Sequence, residues 1–228
     1  LYNVIFQREP EPIELKLSQR FVENELGLKA GSSGGSYNPG STMGQILAWQ
    51  HGYYGYDRNL KRQRFYPFPY KDGKVRQGGP KRPHKIFGQM HLTAIAGHPG
   101  PTLKTPVIRR WTAPRDTTIM LDGRVEHFIE EKAMAQYEKY SPAFKKQVDA
   151  AWDGITAIIV HNSKTTIWKQ EGIRKRRANY SKGPIAVRKG DVIDFAVNCK
   201  KIAGQDYFRW NPVVKVTGGA IKAEMAKS

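Results

Sequence analysis

Six histidines, one cysteine and a sparse set of carboxylates are the residues best suited to chemistry in this 228-residue chain. His51, His84, His91, His98, His127 and His161 are scattered, with no His-Glu-x-x-His and no closely spaced pair, so a zinc site would have to be assembled from distant parts of the chain. Cys199 stands alone, which excludes an internal disulfide and a Cys-x-x-Cys-His haem attachment. Gly-x-Ser-x-Gly, a phosphate-binding P-loop and a Gly-x-Gly-x-x-Gly that opens a helix are all missing. Nucleophilic hydrolase, nucleotidase and dinucleotide chemistries therefore lack their usual carriers. Two acids could converge as in a glycosidase, but 20 Asp and Glu against 38 Lys and Arg make that unattractive. No catalytic residue is assigned, and no cofactor beyond a candidate structural calcium. Its ligands would be Asp153, Asp191 and Asp194 near strand ends. Asp191 follows Gly190 in a turn, where aspartate is common without any metal.

The formal charge of +18 is the most unusual bulk property, and it points to an anionic partner. Two basic runs are the candidate docking sites. Arg58, Lys61, Arg62 and Arg64 lie in RNLKRQR, and Arg174, Lys175, Arg176 and Arg177 form the densest run, RKRR. Just before the first run, Trp49, Tyr53, Tyr54 and Tyr56 form a candidate glycan platform. Such rings stack on sugars or bases while Arg and Lys hold sulfates, uronates or phosphates. The same aromatic residues could instead cover an open end of the core while the charges stay solvated, the reading favoured for Trp49, Tyr53, Phe65 and Phe68.

The elements that must position these residues are mostly strands. In VIDFAVNC, Ile193, Phe195, Val197 and Cys199 alternate with Val192, Asp194, Ala196 and Asn198, which predicts a half-buried strand with one mostly polar face and a buried thiol. YFRW begins another strand that Asn211-Pro212 ends or redirects. Positions 47, 49, 51 and 53 share a face if the aromatic stretch 43–55 is a strand, and further strands are expected around residues 88–96, 107–111, 117–127, 155–160, 165–168 and 185–188. RKRR falls in a loop before the last of these, and residues 71–85 form an exposed basic loop system. Trp111, Trp152, Trp168 and Trp210 sit inside strand patterns, and most of them are expected in the core. Residues 128–151 break the pattern: good helix formers precede Ser141-Pro142, an N-cap with Pro at the first helical position, so a helical hairpin interrupts the strands. The organisation expected is an N-terminal extension and Gly/Ser-rich linker at 1–40, a β-sandwich at 41–216 and a basic tail at 217–228.

The blocks WQHGYYGYD, FYPFPY…RQGG, GQMHLTAIAGHPG, VIRRWTAPRDTTIMLDGRVEH, WDGITAIIVHN and VRKGDVIDFAVN…DYFRWNPVV lie within residues 46–214 in an order that resembles a known module. It is the C-terminal jelly-roll-like module of large secreted proteins typical of planctomycetes, which also carry cytochrome-c-like and uncharacterised conserved domains. The resemblance implies an all-β, jelly-roll-like antiparallel sandwich, a location outside the cytoplasm (secreted, periplasmic or extracellular) and no assigned catalytic residues. The chain departs from the pattern in its helical insertion, its strong positive charge and the absence of the cytochrome domains from these residues. It is therefore expected to be a fragment of such a protein or a separate subunit.

The function expected is a non-catalytic accessory subunit that docks through its basic loops onto an acidic protein partner, with a redox, cytochrome-containing assembly as the candidate. The alternative is an anionic-polysaccharide-binding module using the aromatic platform. Nucleic acid fits the charge but not the resemblance. No segment approaches the ~18 apolar residues of a membrane span.

Overall fold

A computed structural model of the protein describes Ser36–Tyr37 and residues 49–217 except positions 74, 130 and 202. The expected extension before Ser36 and the tail after residue 217 lie outside the described residues. In chain order the elements are β1 (Ser36–Tyr37), β2 (Trp49–Asp57), β3 (Arg62–Pro67), β4 (Tyr70–Asp72), β5 (Val75–Gln77), β6 (His91–Leu92), β7 (Ala96–His98), β8 (Val107–Thr112) and β9 (Thr117–Phe128). They continue with α1 (Glu131–Tyr137), α2 (Pro142–Ala151), β10 (Ile155–His161), β11 (Thr165–Ile173), β12 (Arg177–Val187), β13 (Val192–Cys199), β14 (Tyr207–Trp210) and β15 (Val213–Val216).

Among the described residues every strand pairing is antiparallel, and the strands form two sheets. One has six strands in the order β11-β10-β13-β8-β2-β3. The other runs β1-β15-β9-β14-β7-β6-β5-β4, with β12 on the second edge of β9. The protein is thus an all-β, jelly-roll-like antiparallel sandwich with a helical hairpin between β9 and β10. No described helix is long and apolar enough to cross a membrane. β14 and β15 lie end to end along one edge of β9, with Trp210 opposite Val125 and Val213 opposite Asp122. Asn211-Pro212 breaks that edge because proline has no N–H for the ladder.

Period-2 alternation builds the core. Ile119, Leu121 and Val125 of β9 face Ile155, Ile159, Ile193, Phe195 and Val197 of the six-stranded sheet, with Trp111 and Trp210 fully buried among them. Trp210 stands edge-on to Phe195 at 5.6 Å and donates its Nε1–H to Tyr180 Oη at 3.0 Å. Tyr180 lies opposite Gly123 in register, and its phenol fills the space a β-carbon there would need. Arg109 enters the same core from β8. Its Nη2 donates to the carbonyls of Thr93 and Ala96 at 3.1 and 2.8 Å, across to the β6–β7 hairpin of the opposite sheet.

Several expected boundaries move. Residues 88–96 do not form one strand. The Thr93 hydroxyl captures the Ala96 N–H at 2.9 Å and turns the chain into the β6–β7 hairpin. The basic loop system at 71–85 includes β4 and β5, and two residues of the Gly/Ser-rich linker pair with Val214 and Lys215. β11 runs on to Ile173, and β12 starts at Arg177 rather than near 185, because its exposed outer edge tolerates the polar residues and the bulge around Gly183-Pro184. The helical hairpin forms where expected, with the Ser141 hydroxyl accepting the Phe144 N–H at 3.3 Å.

Three histidines of this core titrate far below their ordinary value. Burial, aided by the charges of Arg109 and Arg76, lowers His51 to about 3. Burial also lowers His91 and His98 to about 4. The unfolded chain therefore binds more protons than the fold between pH 6.5 and 4. Stability is full above 6.5 and falls on acidification, by about 3–5 kcal/mol per ring at completion. Asp206, raised to about 6 by burial, opposes this by only about 3 kcal/mol. Urea-unfolding midpoints should drop steeply from pH 7 to pH 4.5, and equal midpoints at the two pH values would contradict the assignment.

Candidate functional site

On β13 the residues of the expected mostly polar face lie on the outer side of the six-stranded sheet, and the two central ones are buried. Asp194 is 0% exposed and Ala196 is buried. Two features cover them. Residues 99–106 fold over the sheet, held where Asn198 Nδ2 donates to the Leu103 carbonyl at 2.7 Å. The outward side chains of β2, β3 and β8 supply the rest. Between them runs a groove of about 220 Å³ walled by Leu103, Pro106, Ile158, Val160, Ala196 and the ring of Tyr54.

At one end of this groove Asp194 organises the polar groups. It stands opposite Arg110 in register, and the guanidinium grips it with two parallel bonds, Nε to Oδ1 at 2.7 Å and Nη2 to Oδ2 at 2.8 Å. Tyr54 Oη donates to Oδ2 at 2.5 Å, and Ser163 Oγ donates to the same oxygen at 3.4 Å. The Arg110 guanidinium also lies 4.1 Å over the Phe65 ring. Burial and the Asp194 carboxylate push the Tyr54 phenol up to about 12, so it stays a donor at any physiological pH. Burial works against the Arg110 charge, but the bonds to Asp194 outweigh it and raise the pKa.

Asp194 therefore has no oxygen free for calcium. Asp191 is similarly filled by the Arg188 N–H at 2.9 Å, Asn162 Nδ2 at 2.9 Å and His161 Nε2 at 3.2 Å. Asp153 is the one expected ligand whose carboxylate oxygens lack protein donors among the described residues. No group of three or more His, Cys, Asp or Glu side chains among those residues is arranged to hold a metal. Cys199 is buried as expected.

The aromatic platform does not assemble. Alternation sends Trp49 and Tyr53 inward and Tyr54 and Tyr56 outward. Trp49 is 6% exposed and packs on Phe195 at 5.6 Å. Tyr53 is held among Tyr66, Phe68 and Phe87 at 5.7, 5.8 and 5.2 Å. Tyr54 is engaged with Asp194. Only Tyr56, at 57%, is strongly exposed.

The two basic runs differ in the same way. RKRR links the sheets between β11 and β12 and is used internally. Arg174 pairs with Asp149 of α2 at 2.6 Å, and Lys175 Nζ sits over the rings of Tyr137 and Trp152 at 5.8 and 5.9 Å. Arg176 donates to the Glu171 carbonyl at 3.3 Å, and Arg177 pairs with Glu126 at 3.3 Å. The β2–β3 turn is different. Asp57 Oδ1 accepts the N–H groups of Asn59 and Leu60, both at 3.0 Å, while Oδ2 takes Tyr66 Oη at 3.3 Å and faces Arg64 at 3.6 Å. Arg58, Lys61 and Arg62 are exposed on this braced turn with no ion-pair partner among the described residues, beside half-exposed Leu60.

No protein-family model matches the chain, and neither a curated protein nor a solved structure is detectably similar to it. Sequence reasoning missed the Arg110–Asp194–Tyr54 centre. The available signal was a charged residue amid the apolar VIDFAV run, which needs an opposite charge once both faces of the strand are covered.

Removing one partner of a buried ion pair strands the other. D194A should therefore lose about 3–5 kcal/mol of stability by urea unfolding, and R110M/D194L should recover much of it. In D194A the Tyr54 phenol should titrate below about 12 by ultraviolet absorbance. A D194A protein as stable as wild type would show that the pair does not hold this face.

Proposed function

We propose that this chain is a non-catalytic binding module that docks through its β2–β3 turn onto an acidic protein partner. The observation that carries the reading is the set of uncompensated cations, Arg58, Lys61 and Arg62, on a turn already rigidified by Asp57. Side chains on a braced turn lose less freedom on docking than those on a mobile loop. Neighbouring Leu60 and Tyr56 add apolar contact, the composition of a protein interface more than of a purely ionic one. In the RKRR run, exposed throughout, Arg174 and Lys175 engage the insertion and Arg177 pairs with Glu126, so three of its four cations already have partners within the chain. The resemblance to modules of secreted, cytochrome-containing proteins favours an acidic redox protein outside the cytoplasm as the partner class. The polysaccharide reading has less support because its four aromatic residues are divided between core, groove and surface.

Succinylated cytochrome c, an acidic haem protein, is a suitable probe for surface-sensing measurements. Binding should weaken about tenfold or more in R58E/K61E/R62E and change less than twofold in R176E. It should also weaken as salt shortens the screening length from about 10 Å at 0.1 M. Equal loss in both variants would assign the binding to net charge. Retention of heparin by the wild type that is lost in Y56A, with no binding of the acidic protein, would establish the polysaccharide module instead.

A further inference from the structure

A second cluster of polar groups lies at the corner where the chain leaves the helical hairpin. Asp153 precedes Gly154, whose carbonyl accepts the Lys200 N–H at 3.0 Å, and Ile155 stands opposite Cys199 at the end of β13. From Cys199 the chain returns through Gln205 and Asp206 into β14, where Phe208 faces His127. The register thus brings Asp153, Cys199 and Asp206 to one end of the sandwich. Both carboxylates act on the Cys199 thiol, which burial and their charge push up to about 11.

The hydrogen bonding at this corner is one-sided. Both oxygens of Asp153, both oxygens of Asp206 and Oε1 of Gln205 are buried without a hydrogen-bond donor among the described residues, and the Asp206 side chain is 0% exposed. Five acceptors of this kind are among the costliest things a fold can bury unless a positive centre satisfies them. No lysine or arginine among the described residues pairs with either carboxylate. His127 is the one donor in reach, with Nε2 3.6 Å from Asp206 Oδ1. Its Nδ1 accepts the Lys175 N–H at 2.9 Å, so the ring proton is on Nε2 and faces the carboxylate.

We propose that Asp153 and Asp206, with the amide oxygen of Gln205, hold a hard divalent cation of the calcium class. Two carboxylates and an amide form a partial oxygen set, and main-chain carbonyls and water ordinarily complete the six to eight ligands that calcium takes. Zinc is disfavoured because the His127 nitrogen facing the corner carries a proton, since Nδ1 accepts the Lys175 N–H. His127 instead faces Asp206 with its Nε2–H at 3.6 Å, beyond hydrogen-bond length, as a polar neighbour of the proposed ligand. The same ring fixes the RKRR turn through the Lys175 N–H, so an ion here would also brace the seat of the helical hairpin.

Buried Trp152, adjacent to Asp153, is a built-in antenna for terbium, which takes calcium sites. Full-length protein excited at tryptophan should sensitise Tb³⁺ emission saturably, with displacement by Ca²⁺. Ca²⁺ against a chelator should raise the thermal midpoint by several degrees. D153N, which keeps the size and shape of the side chain, should keep the native near-ultraviolet dichroism and lose both responses, while D191N should keep both. No Tb³⁺ emission with no Ca²⁺ shift in the wild type would overturn the proposal. So would responses intact in D153N, or a midpoint that rises with Zn²⁺ alone. Should D153N not fold, the wild-type chelator comparison still decides.

Discussion

The fold depends on a buried cation that joins its two sheets. Arg109 leaves β8, crosses the core 5.6 Å from the Phe208 ring and holds the carbonyls of Thr93 and Ala96 in the opposite sheet. Burial lowers its pKa to about 9, so it remains charged at neutral pH, and no carboxylate pairs with it among the described residues. Charge-assisted hydrogen bonds of this kind are worth about 1.5–3 kcal/mol each. They also set position: the Thr93–Ala96 turn is where the chain enters β7, whose Gly97 pairs with Phe208 of β14. The charge has a second effect in the same layer, since His51 stands opposite Arg109 and is kept neutral partly by it.

The next residue, Arg110, takes the other face. Alternation makes two successive arginines on a strand point in opposite directions, so one ties the sheets together while the other closes on Asp194 outside them. That arrangement converts the outer surface of the six-stranded sheet from a solvated face into a floor. With Asp194 neutralised by a fork of two bonds and capped by Tyr54, Ile158, Val160 and Ala196 of β10 and β13 line a mostly apolar groove together with Asn198 and Gln63. The ion pair is thus what lets an acidic residue lie in a strand covered on both sides, where an unpaired carboxylate would oppose folding.

Much of this architecture is legible in the sequence because strand periodicity is a local signal. The apolar alternation of β9 and β13, the Pro-broken edge at Asn211-Pro212 and the Ser141-Pro142 cap each follow from a few neighbouring residues. The features that were not legible are non-local. Asp194 reads as solvent-facing until a partner 84 positions away in the chain, Arg110, is placed opposite it. Trp49 and Tyr54 fall on opposite faces by alternation alone, but that Tyr54 is committed to Asp194, 140 positions away, shows only in the fold. The start of β12 at Arg177 depends on the long edge of β9 that it pairs with, and its own polar residues give no periodic cue. The corner at Asp153 and Asp206 is of the same kind, because 53 positions separate two carboxylates that the β10–β13 register brings to one end.

Charge density in a sequence and charge available to a partner are therefore different quantities. RKRR is the densest run, yet it lies where acidic and aromatic groups from the insertion converge: Asp149 takes Arg174, the Tyr137 and Trp152 rings take Lys175, and Glu126 of β9 takes Arg177. Its role is to seat a helical hairpin that has little core of its own, since α1 and α2 are short and Phe144 is exposed. The β2–β3 turn has a lower density but one acidic residue, Asp57, which is committed to the turn's own N–H groups, to Tyr66 and to Arg64. Arg58, Lys61 and Arg62 remain uncompensated. A net +18 attracts anions from any direction, but the residues left unpaired on a rigid turn are those able to hold a partner in one orientation.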